Sequence, residues 1–476
     1  MSWNRILAGA TALCTALIMP AAFGTDGEPD PGFGLDGAAF ITPDDVEARE
    51  LQPYSAVELP DGKLLFAGVR SQFNPAVPFE PQLRAMLARL NADGSVDTGF
   101  GNTSIPGVVV LPDIVAGSRM QTIEAMRRLD DGSLIVAGTG QVDVPLKGFV
   151  VKLDADGALD GTFGSAGKVL LPLTFLHAVA IDSQGRIVVA GEHVDGGIPH
   201  AVIVRLDAGG QPDAGFGTGT DGMVQLDWDG VGGQGGYLDT LAVTDGDGIV
   251  AGGSYETYGS GIGADFALAR VDADGALDAA FAGTGWRVFH VPGDSSNVNG
   301  VERVLLGADG AITFAGHYMD AGTGTQLVLG RLGSDGQEDA AFGDPATPGY
   351  QKIELVPDAW DRYASGFARQ DDGKLVVAVS YATPAKSDFL ALRTTSTGQL
   401  DPTFASGGIF QYDLAPDGVY SESGALALDS AQRPILAGRS MLSDASPLVS
   451  LAVMRLTRDG AANDRIFADG FEAPPR

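Results

Sequence analysis

A short motif, Asp-x-x-Phe, recurs along the whole chain at a nearly constant interval, and this repeat constrains the fold more than any other feature. Successive phenylalanines lie 67, 63, 53, 65, 61, 62 and 63 residues apart. The eight copies are Asp30/Phe33, Asp97/Phe100, Asp160/Phe163, Asp213/Phe216, Asp278/Phe281, Asp339/Phe342, Asp401/Phe404 and Asp464/Phe467. A period of this size is typical of repeat proteins, in which each unit buries its apolar face against the next unit.

Two further signals share this period. A basic residue ends an apolar alternating run eight residues before the aspartate, or nine in the last unit; these residues are Arg89, Lys152, Arg205, Arg270, Arg331, Arg393 and Arg455. A glycine follows a turn glycine after six residues in the pairs Gly62/Gly68, Gly132/Gly138, Gly185/Gly191, Gly246/Gly252 and Gly310/Gly316. The sixth unit has Val379 in place of the second glycine, and the seventh keeps Gly438 but has Gln432 in the turn.

Each unit has the pattern of about four antiparallel strands. Asp-Gly, or another residue followed by glycine, separates alternating apolar runs, and such dipeptides favour the tight turn of a β-hairpin. No stretch with helical periodicity lies between the strands, so the predicted fold class is all-β. Four strands in each repeat, arranged around an axis, are typical of a β-propeller, with an open β-solenoid as the alternative.

Counting the units predicts a single seven-bladed propeller of four-stranded antiparallel blades. The blades start near Tyr54, Gln121, His177, Leu238, Val301, Tyr363 and Glu422. The seventh unit lacks a clear fourth strand, whereas residues 30–41 have the pattern of the matching end of a unit. We therefore expect the N-terminal strand to complete the last blade and to close the ring, because closure removes exposed sheet edges.

The repeats resemble a known bacterial family. Asp131–Gly138 reads Asp-Gly-Ser-Leu-Ile-Val-Ala-Gly, and Leu153–Gly164 reads Leu-Asp-Ala-Asp-Gly-Ala-Leu-Asp-Gly-Thr-Phe-Gly. This pair of motifs is similar to the bacterial delta-60 repeat, over about residues 30–467, and departs from it most at Val379 and Gln432. The resemblance implies a β-propeller repeat of unknown function and brings no catalytic residues.

The two ends of the chain have the pattern of segments outside the propeller. Arg5, the apolar run 6–19 and the small residues Ala22 and Gly24 predict a signal peptide over residues 1–24, with a membrane anchor as the alternative. The propeller then covers residues 25–467, and the tail at 468–476 is either a sorting signal or the end of the last unit. We therefore expect a secreted protein in the periplasm, at the cell surface or in the medium.

The net charge and the cysteine content limit the classes of partner and of chemistry that the sequence allows. The chain has a formal net charge of −31, so phosphate backbones and anionic lipids repel it. We expect no nucleic-acid partner and no membrane insertion after signal removal. Cys14 is the only cysteine and lies in the predicted signal peptide, so the mature chain has no disulfide or thiolate chemistry. A monomer that binds a protein or a glycan is the expected form.

The recurrent residues are predicted to serve the scaffold. We expect each phenylalanine of the motif to pack between adjacent blades. We expect each aspartate to accept hydrogen bonds from nearby turn N–H groups, which is a common role of this side chain. The basic residue is expected to pair with that aspartate or with a neighbour in the next blade.

We expect no cofactor, but two acidic turns make calcium binding an alternative. Calcium takes about six to eight oxygen ligands, and Asp-x-Asp-Gly turns present several. Other units keep the period without these aspartates, for example at Ala208-Gly209. The candidate ligands are Asp154, Asp156, Asp160, Asp272, Asp274 and Asp278.

No motif points to catalysis. The five histidines, at 177, 193, 200, 290 and 317, stand at ordinary strand positions without metal-ligand spacing. The irregular segments 71–81, 227–237, 255–264 and 291–299 are candidate binding loops, with the aromatic contacts Phe73, Trp228, Tyr255 and Tyr258. The sequence therefore favours a non-catalytic binding module. The alternatives are a secreted hydrolase or lyase with its site at the central channel, and a calcium-dependent surface-structural or adhesion protein.

Overall fold

A computed structural model describes residues 26–43, 48–72, 82–141, 146–172, 174–228, 235–257, 263–292, 299–320, 324–355, 361–383, 387–415, 420–442 and 448–458. Every regular element in these ranges is a β-strand, which confirms the predicted all-β class. No helix in this part of the chain is long and apolar enough to cross a membrane.

The strands in the described ranges follow one another in chain order. They are β1 Ala38–Ile41, β2 Ala48–Glu58, β3 Leu64–Gln72, β4 Gln82–Leu90, β5 Val108–Val110, β6 Met120–Arg128, β7 Leu134–Gln141, β8 Leu146–Leu153, β9 Lys168–Pro172, β10 Thr174–Ile181, β11 Ile187–Asp195, β12 Ile198–Leu206, β13 Met223–Gln225, β14 Gly235–Val243, β15 Ile249–Thr257, β16 Gly263–Val271, β17 Trp286–Phe289, β18 Gly300–Leu306, β19 Ile312–Asp320, β20 Gly324–Leu332, β21 Tyr350–Ile353, β22 Asp361–Arg369, β23 Leu375–Ala382, β24 Phe389–Thr394, β25 Ile409–Tyr412, β26 Ser421–Leu428, β27 Pro434–Ser440 and β28 Ser450–Arg455.

The strands form antiparallel four-stranded units, most of them simple meanders. Strands β10–β13, β14–β17, β18–β21 and β22–β25 make separate sheets in chain order. Strands β2–β5 and β6–β9 form two more such units, which a single parallel residue pair, Leu83 and Met120, links into one eight-stranded sheet. The predicted repeat of four antiparallel strands is therefore confirmed.

One unit combines the two ends of the chain. Strand β1 pairs antiparallel with β28, beside β27 and β26, and Ala38 lies opposite Met454. The segment before β1 continues this contact, because the Gly27 N–H donates to the Thr457 carbonyl at 3.0 Å. The N-terminal segment therefore supplies the fourth strand of this unit.

The same contact gives Arg455 a partner from the other end of the chain. The sequence pattern pairs Arg455 with Asp464, nine residues later instead of the eight residues found in the other units. Asp464 and Phe467 lie outside the described residues. The structure instead places Asp30 2.7 Å from Arg455, and the guanidinium lies 4.7 Å from the ring centre of Phe33. The first copy of the motif therefore completes the last unit.

Adjacent units pack together through the phenylalanines of the repeat. Phe216 follows β12 and packs with Leu238 of the next unit, and Phe33 packs with Phe66 of β3. The rings are at most 2% exposed, so their burial contributes strongly to the contact between units. The buried set is Phe33, Phe100, Phe163, Phe216, Phe281, Phe342 and Phe404.

The basic residue of the repeat lies between the aspartate and the phenylalanine. The Arg205 guanidinium donates to Asp213 at 2.8 Å and lies 4.4 Å from the ring centre of Phe216. It also donates to the carbonyl of Ala273 in the next unit, so one side chain bridges two units. Equivalent ion pairs join Arg89 to Asp97, Lys152 to Asp160, Arg270 to Asp278, Arg331 to Asp339 and Arg393 to Asp401.

A β-bulge recurs at one position in the first strand of every unit. The pairing register shifts there by one residue, for example between Leu238 and Thr240 of β14. The residue before this bulge lies opposite Gly253, and a Cβ atom on Gly253 would overlap the carbonyl oxygen of Tyr237. Glycine recurs at this position because the two backbones approach closely.

The structure corrects the predicted register of the fourth unit by one residue. The sequence pattern assigns the turn and strand positions to Gly246 and Gly252, whereas Asp247 and Gly253 occupy them. Asp247 has a φ of 61°, and its N–H donates to the Thr244 carbonyl at 2.9 Å. Aspartate is among the few residues with a side chain that adopt this left-handed conformation readily, so the turn does not need glycine.

We expect Gly253→Ala to lower the free energy of unfolding by about 1–3 kcal/mol, because the added methyl group must displace the Tyr237 carbonyl. Gly246→Ala is the matched control, since a Cβ atom there meets nothing within 4 Å. Thermal melting of both variants beside the unsubstituted protein measures the difference. Equal melting temperatures for the two variants would show that the close approach at the bulge is not a constraint.

Candidate functional site

The first strands of the units converge on one cavity of about 160 Å³. Its wall takes residues from β2, β6, β10, β14, β18, β22 and β26, the first strand of each unit. The residues that the bulges insert into these strands are Tyr54, Glu124, His177, Asp239, Glu302, Ser365 and Gly424. Five of them line the cavity, because a bulge redirects the side chain at its position.

Two arginines also line the cavity, and backbone carbonyls orient both. The Arg303 guanidinium donates to the Glu302 carbonyl at 2.7 Å and to the Ser365 carbonyl at 2.9 Å. Arg127 donates to the Met126 carbonyl at 2.9 Å. Within the described ranges, neither arginine forms an ion pair with a carboxylate. A guanidinium has five N–H donors, so both arginines keep donors for a ligand.

Glu302 is fixed near the cavity by two contacts. Its Oε1 lies 2.8 Å from Nδ1 of His317, and its Oε2 accepts the N–H of Ala364. The imidazole of His317 meets the Tyr363 ring edge-to-face, with ring centres 5.0 Å apart. A carboxylate beside one ring nitrogen fixes the tautomer and orientation of a histidine.

Burial and neighbouring charges shift the acid–base groups of the cavity. Desolvation, with the charge of Arg303, lowers the pKa of His177 to about 4, so its imidazole is neutral at pH 7. Desolvation, with the charge of Glu302, raises the pKa of Asp239 to about 7. Desolvation also raises the pKa of Glu124. At neutral pH the arginines carry positive charge while Asp239 is only partly ionised.

A further carboxyl, on Glu192 of β11, interacts with Asp239. Desolvation and the charge of Glu256 raise the pKa of Glu192 to about 7. Glu192 in turn adds to the rise at Asp239, and both carboxylates raise the pKa of Tyr237 after desolvation. Carboxyl groups with a pKa near 7 can take up and release protons at neutral pH, so the cavity has groups suited to binding polar ligands and to acid–base chemistry.

The aspartates that the sequence assigns to calcium lie in turns. The first aspartate of each set, Asp154 or Asp272, accepts the N–H of the second aspartate, Asp156 or Asp274, at 3.0 Å. The third aspartate of each set is paired with the basic residue of its own unit. In the described part of the chain, no three His, Cys, Asp or Glu side chains are grouped as a metal site requires, and calcium stays a prediction.

The aromatic residues of the candidate loops do not form one described surface. Phe73 and Tyr258 lie outside the described residues. Trp228 is 3% exposed and packs edge-on against Trp286 with ring centres 6.4 Å apart, so it belongs to the hydrophobic core. Tyr255 packs against the same core from β15. The expected role of Trp228 as an exposed contact does not fit this burial.

Sequence reasoning missed most of the cavity residues. It placed His177 at an ordinary strand position and did not single out Glu124, Arg127, Asp239 or Arg303. A signal exists, because each bulged residue precedes the repeated glycine, or its valine replacement, by fourteen residues. The other histidines do not line this cavity; they are His193, His200, His290 and His317.

The four-stranded units around a cavity formed by their first strands are the architecture of a β-propeller. Five segments match the family described as a domain of unknown function (DUF5122) β-propeller: residues 59–100, 129–163, 183–216, 246–281 and 370–404. Each segment ends at the phenylalanine of an Asp-x-x-Phe motif. These five segments are therefore similar to repeats of a β-propeller family whose function is unknown.

Several solved structures are similar to this chain over most of its length. A protein of unknown function from Dyadobacter fermentans is 12% identical, with 90% of this chain and 100% of that chain covered and a TM-score of 0.44. Drosophila Plexin A in complex with Semaphorin 1b is 8% identical, with 90% of this chain and 88% of that chain covered and a TM-score of 0.44. The polysaccharide lyase Uly1 is 8% identical, with 85% of this chain and 90% of that chain covered and a TM-score of 0.48. No curated protein matches the sequence. No function follows from similarity at this level.

The raised pKa of Asp239 predicts a pH-dependent effect of its replacement. Between about pH 4 and pH 7 the unfolded chain releases this proton while the folded protein retains it, so the group destabilises the fold increasingly as pH rises. We expect Asp239→Asn to raise the melting temperature by a few degrees at about pH 8 and by much less at about pH 4.5.

The control for this experiment is Asp36→Asn, which changes an exposed turn carboxylate. We expect its melting temperature to differ from that of the unsubstituted protein by the same small amount at both pH values. A pH-independent effect of Asp239→Asn would contradict the assigned ionisation.

Proposed function

We propose that the units form a seven-bladed propeller closed by the N-terminal strand. The shared cavity and the pairing of β1 with β28 support this arrangement. The last unit also contacts the first, because the Leu51 N–H donates to the Val449 carbonyl at 3.1 Å and the Val449 N–H donates to the Arg49 carbonyl at 2.7 Å. Arg439 of β27 adds an ion pair to Glu50 of β2 across the same junction.

Removal of residues 1–41 tests this closure. The deletion takes Asp30 from the buried Arg455, at a cost of about 3–5 kcal/mol for the broken pair, and it takes Asp26 from Arg393, which keeps Asp401. We expect a melting temperature lower by several degrees or more, and a smaller decrease for Asp30→Asn. A chain without residues 468–476 is the control. If the N-terminal deletion melts like the control, the N-terminal strand does not close the ring.

We further propose that this propeller is a secreted or cell-surface, non-catalytic binding module with its ligand in the central cavity. The observation that carries the proposal is the shared bulge, which turns Tyr54, Glu124, His177, Asp239 and Ser365 toward one space. These side chains are partly exposed. A few polar groups that converge on one cavity are the usual arrangement of a ligand-binding site, so binding of a ligand accounts for their convergence.

The proposed location of the protein is outside the cytoplasm. Residues 1–24 are proposed as a signal peptide, and the mature propeller as a monomer that starts at residue 25. Because Cys14 is the only cysteine, the proposed mature chain has no thiolate to bind a metal. The formal net charge of −31 fits a protein that does not bind nucleic acid.

One group of residues favours a second function, that of a secreted hydrolase or lyase acting in the same cavity. The pKa values of Asp239 and Glu192, raised to about 7, suit groups that exchange a proton at neutral pH. Glu302 and His317 add a carboxylate–imidazole pair whose charges act on Asp239. Conversion of a bound ligand distinguishes this function from binding alone.

Replacement of His177 tests the proposed function. His177→Phe puts an apolar ring into the cavity, and His200→Phe, on β12 outside the cavity, is the matched control. A ligand at about 100 times its Kd stabilises the unsubstituted protein by about 2.7 kcal/mol. In a melting screen of polar metabolites and oligosaccharides, we expect this effect to disappear in His177→Phe and to persist in His200→Phe.

The outcomes separate the functions. An unchanged NMR spectrum of the bound ligand over hours fits a binding module, whereas its conversion would establish the enzyme. Ligands that stabilise both variants equally would place binding outside the cavity and contradict the proposal.

A further inference from the structure

We propose that the central cavity binds a small hydroxylated carboxylate through Arg127 and Arg303, an inference that rests on the proposed binding function. Both guanidinium groups line the cavity, and backbone carbonyls hold them in place. A guanidinium presents parallel N–H donors that match the two oxygens of a carboxylate.

Arg127 is the clearest sign of an anionic ligand. Desolvation and the positive charge of Arg303 both lower its pKa, and within the described residues no carboxylate charge offsets them. Two cations that face one cavity repel each other, and a carboxylate placed between them removes this repulsion. A neutral ligand would leave it in place.

The acids of the cavity do not replace such a ligand. The charge of Arg303 acts on Glu124 and Asp239, but in the described ranges neither acid forms an ion pair with Arg127 or Arg303, and Asp239 is only partly ionised at neutral pH. A protonated carboxyl is a hydrogen-bond donor, so Asp239 can bond an oxygen of the ligand. His177 is neutral at this pH and adds no charge.

The cavity also limits the size and the polarity of the ligand. A volume of about 160 Å³ resembles the roughly 150 Å³ cavity that accommodates one benzene molecule, so a molecule of about six to twelve heavy atoms fits. Ser365 Oγ is buried and has no hydrogen-bond partner among the described residues. With Tyr54 and Ser55 it lines the cavity with hydroxyl groups, which suit a ligand that carries hydroxyls of its own.

Sodium xylonate and xylitol form a matched pair of probes, because they share a five-carbon hydroxylated chain and differ in the carboxylate. Lactate and propane-1,2-diol are the smaller pair. Titration of the mature chain at neutral pH and constant ionic strength, followed by calorimetry and by thermal melting, measures binding. We expect at least one carboxylate to bind about 10- to 100-fold more tightly than its neutral partner, as a charge-assisted bidentate contact would give.

Two arginine variants on one strand locate the contact. Arg127→Met removes the charge but keeps an unbranched apolar stem, and Arg128→Met changes the next residue, which does not line the cavity. We expect Arg127→Met to weaken carboxylate binding at least tenfold and Arg128→Met to leave it unchanged. Far-ultraviolet circular dichroism of both variants checks that the fold is retained.

Three results would overturn the carboxylate assignment: equal binding of each acid and its neutral partner, no binding of either acid, or acid binding that survives Arg127→Met. If a neutral probe binds and His177→Phe abolishes its binding, the cavity remains the binding site and only the ligand class is wrong. If His177→Phe changes the affinity of no ligand that binds, the proposed binding function of the cavity is wrong as well.

Discussion

An inserted residue in the first strand of each unit determines both how the sheets are built and what they enclose. The bulge brings the first two strands so close that a side chain on Gly138 or Gly438 would overlap the carbonyl of Thr122 or Glu422. It also turns the inserted residue toward the cavity. The repeated glycine and the cavity wall are therefore two consequences of one backbone feature. The sixth unit keeps the bulge with Val379 at the glycine position, and nothing in the structure explains how valine is accommodated there.

The scaffold was predictable from the sequence because each unit packs against its neighbour through the same residue types. Arg205, Asp213 and Phe216 form one contact between units, and their counterparts form the same contact elsewhere, so the residues recur. The cavity residues were not predictable in this way. The bulged position holds tyrosine, glutamate, histidine, aspartate, serine or glycine, and only its spacing from the next strand is constant. A search for recurring residue types therefore passes over the positions where the units differ.

The register error in the fourth unit and the partner of Arg455 both have physical causes. A tight turn requires a positive φ and not glycine itself, so Asp247 occupies the turn where the sequence pattern selected Gly246. An ion pair requires proximity in space and not along the chain, so Arg455 pairs with Asp30 from the other end of the sequence. In both cases the repeat is continuous in sequence, whereas its contacts are made in three dimensions.

The distribution of charge separates the scaffold from the cavity. Between units, the buried Arg205 has a carboxylate, an aromatic face and a carbonyl, so the cost of removing it from water is offset locally. In the cavity, Arg127 is exposed and has no such carboxylate within the described residues, and the raised pKa of Asp239 means that its ionisation destabilises the fold. Local rules of packing and pairing are broken mainly where a protein does something beyond folding. The repeat shows this contrast within one chain, because the arginines between the units are paired with carboxylates whereas Arg127 in the cavity is not.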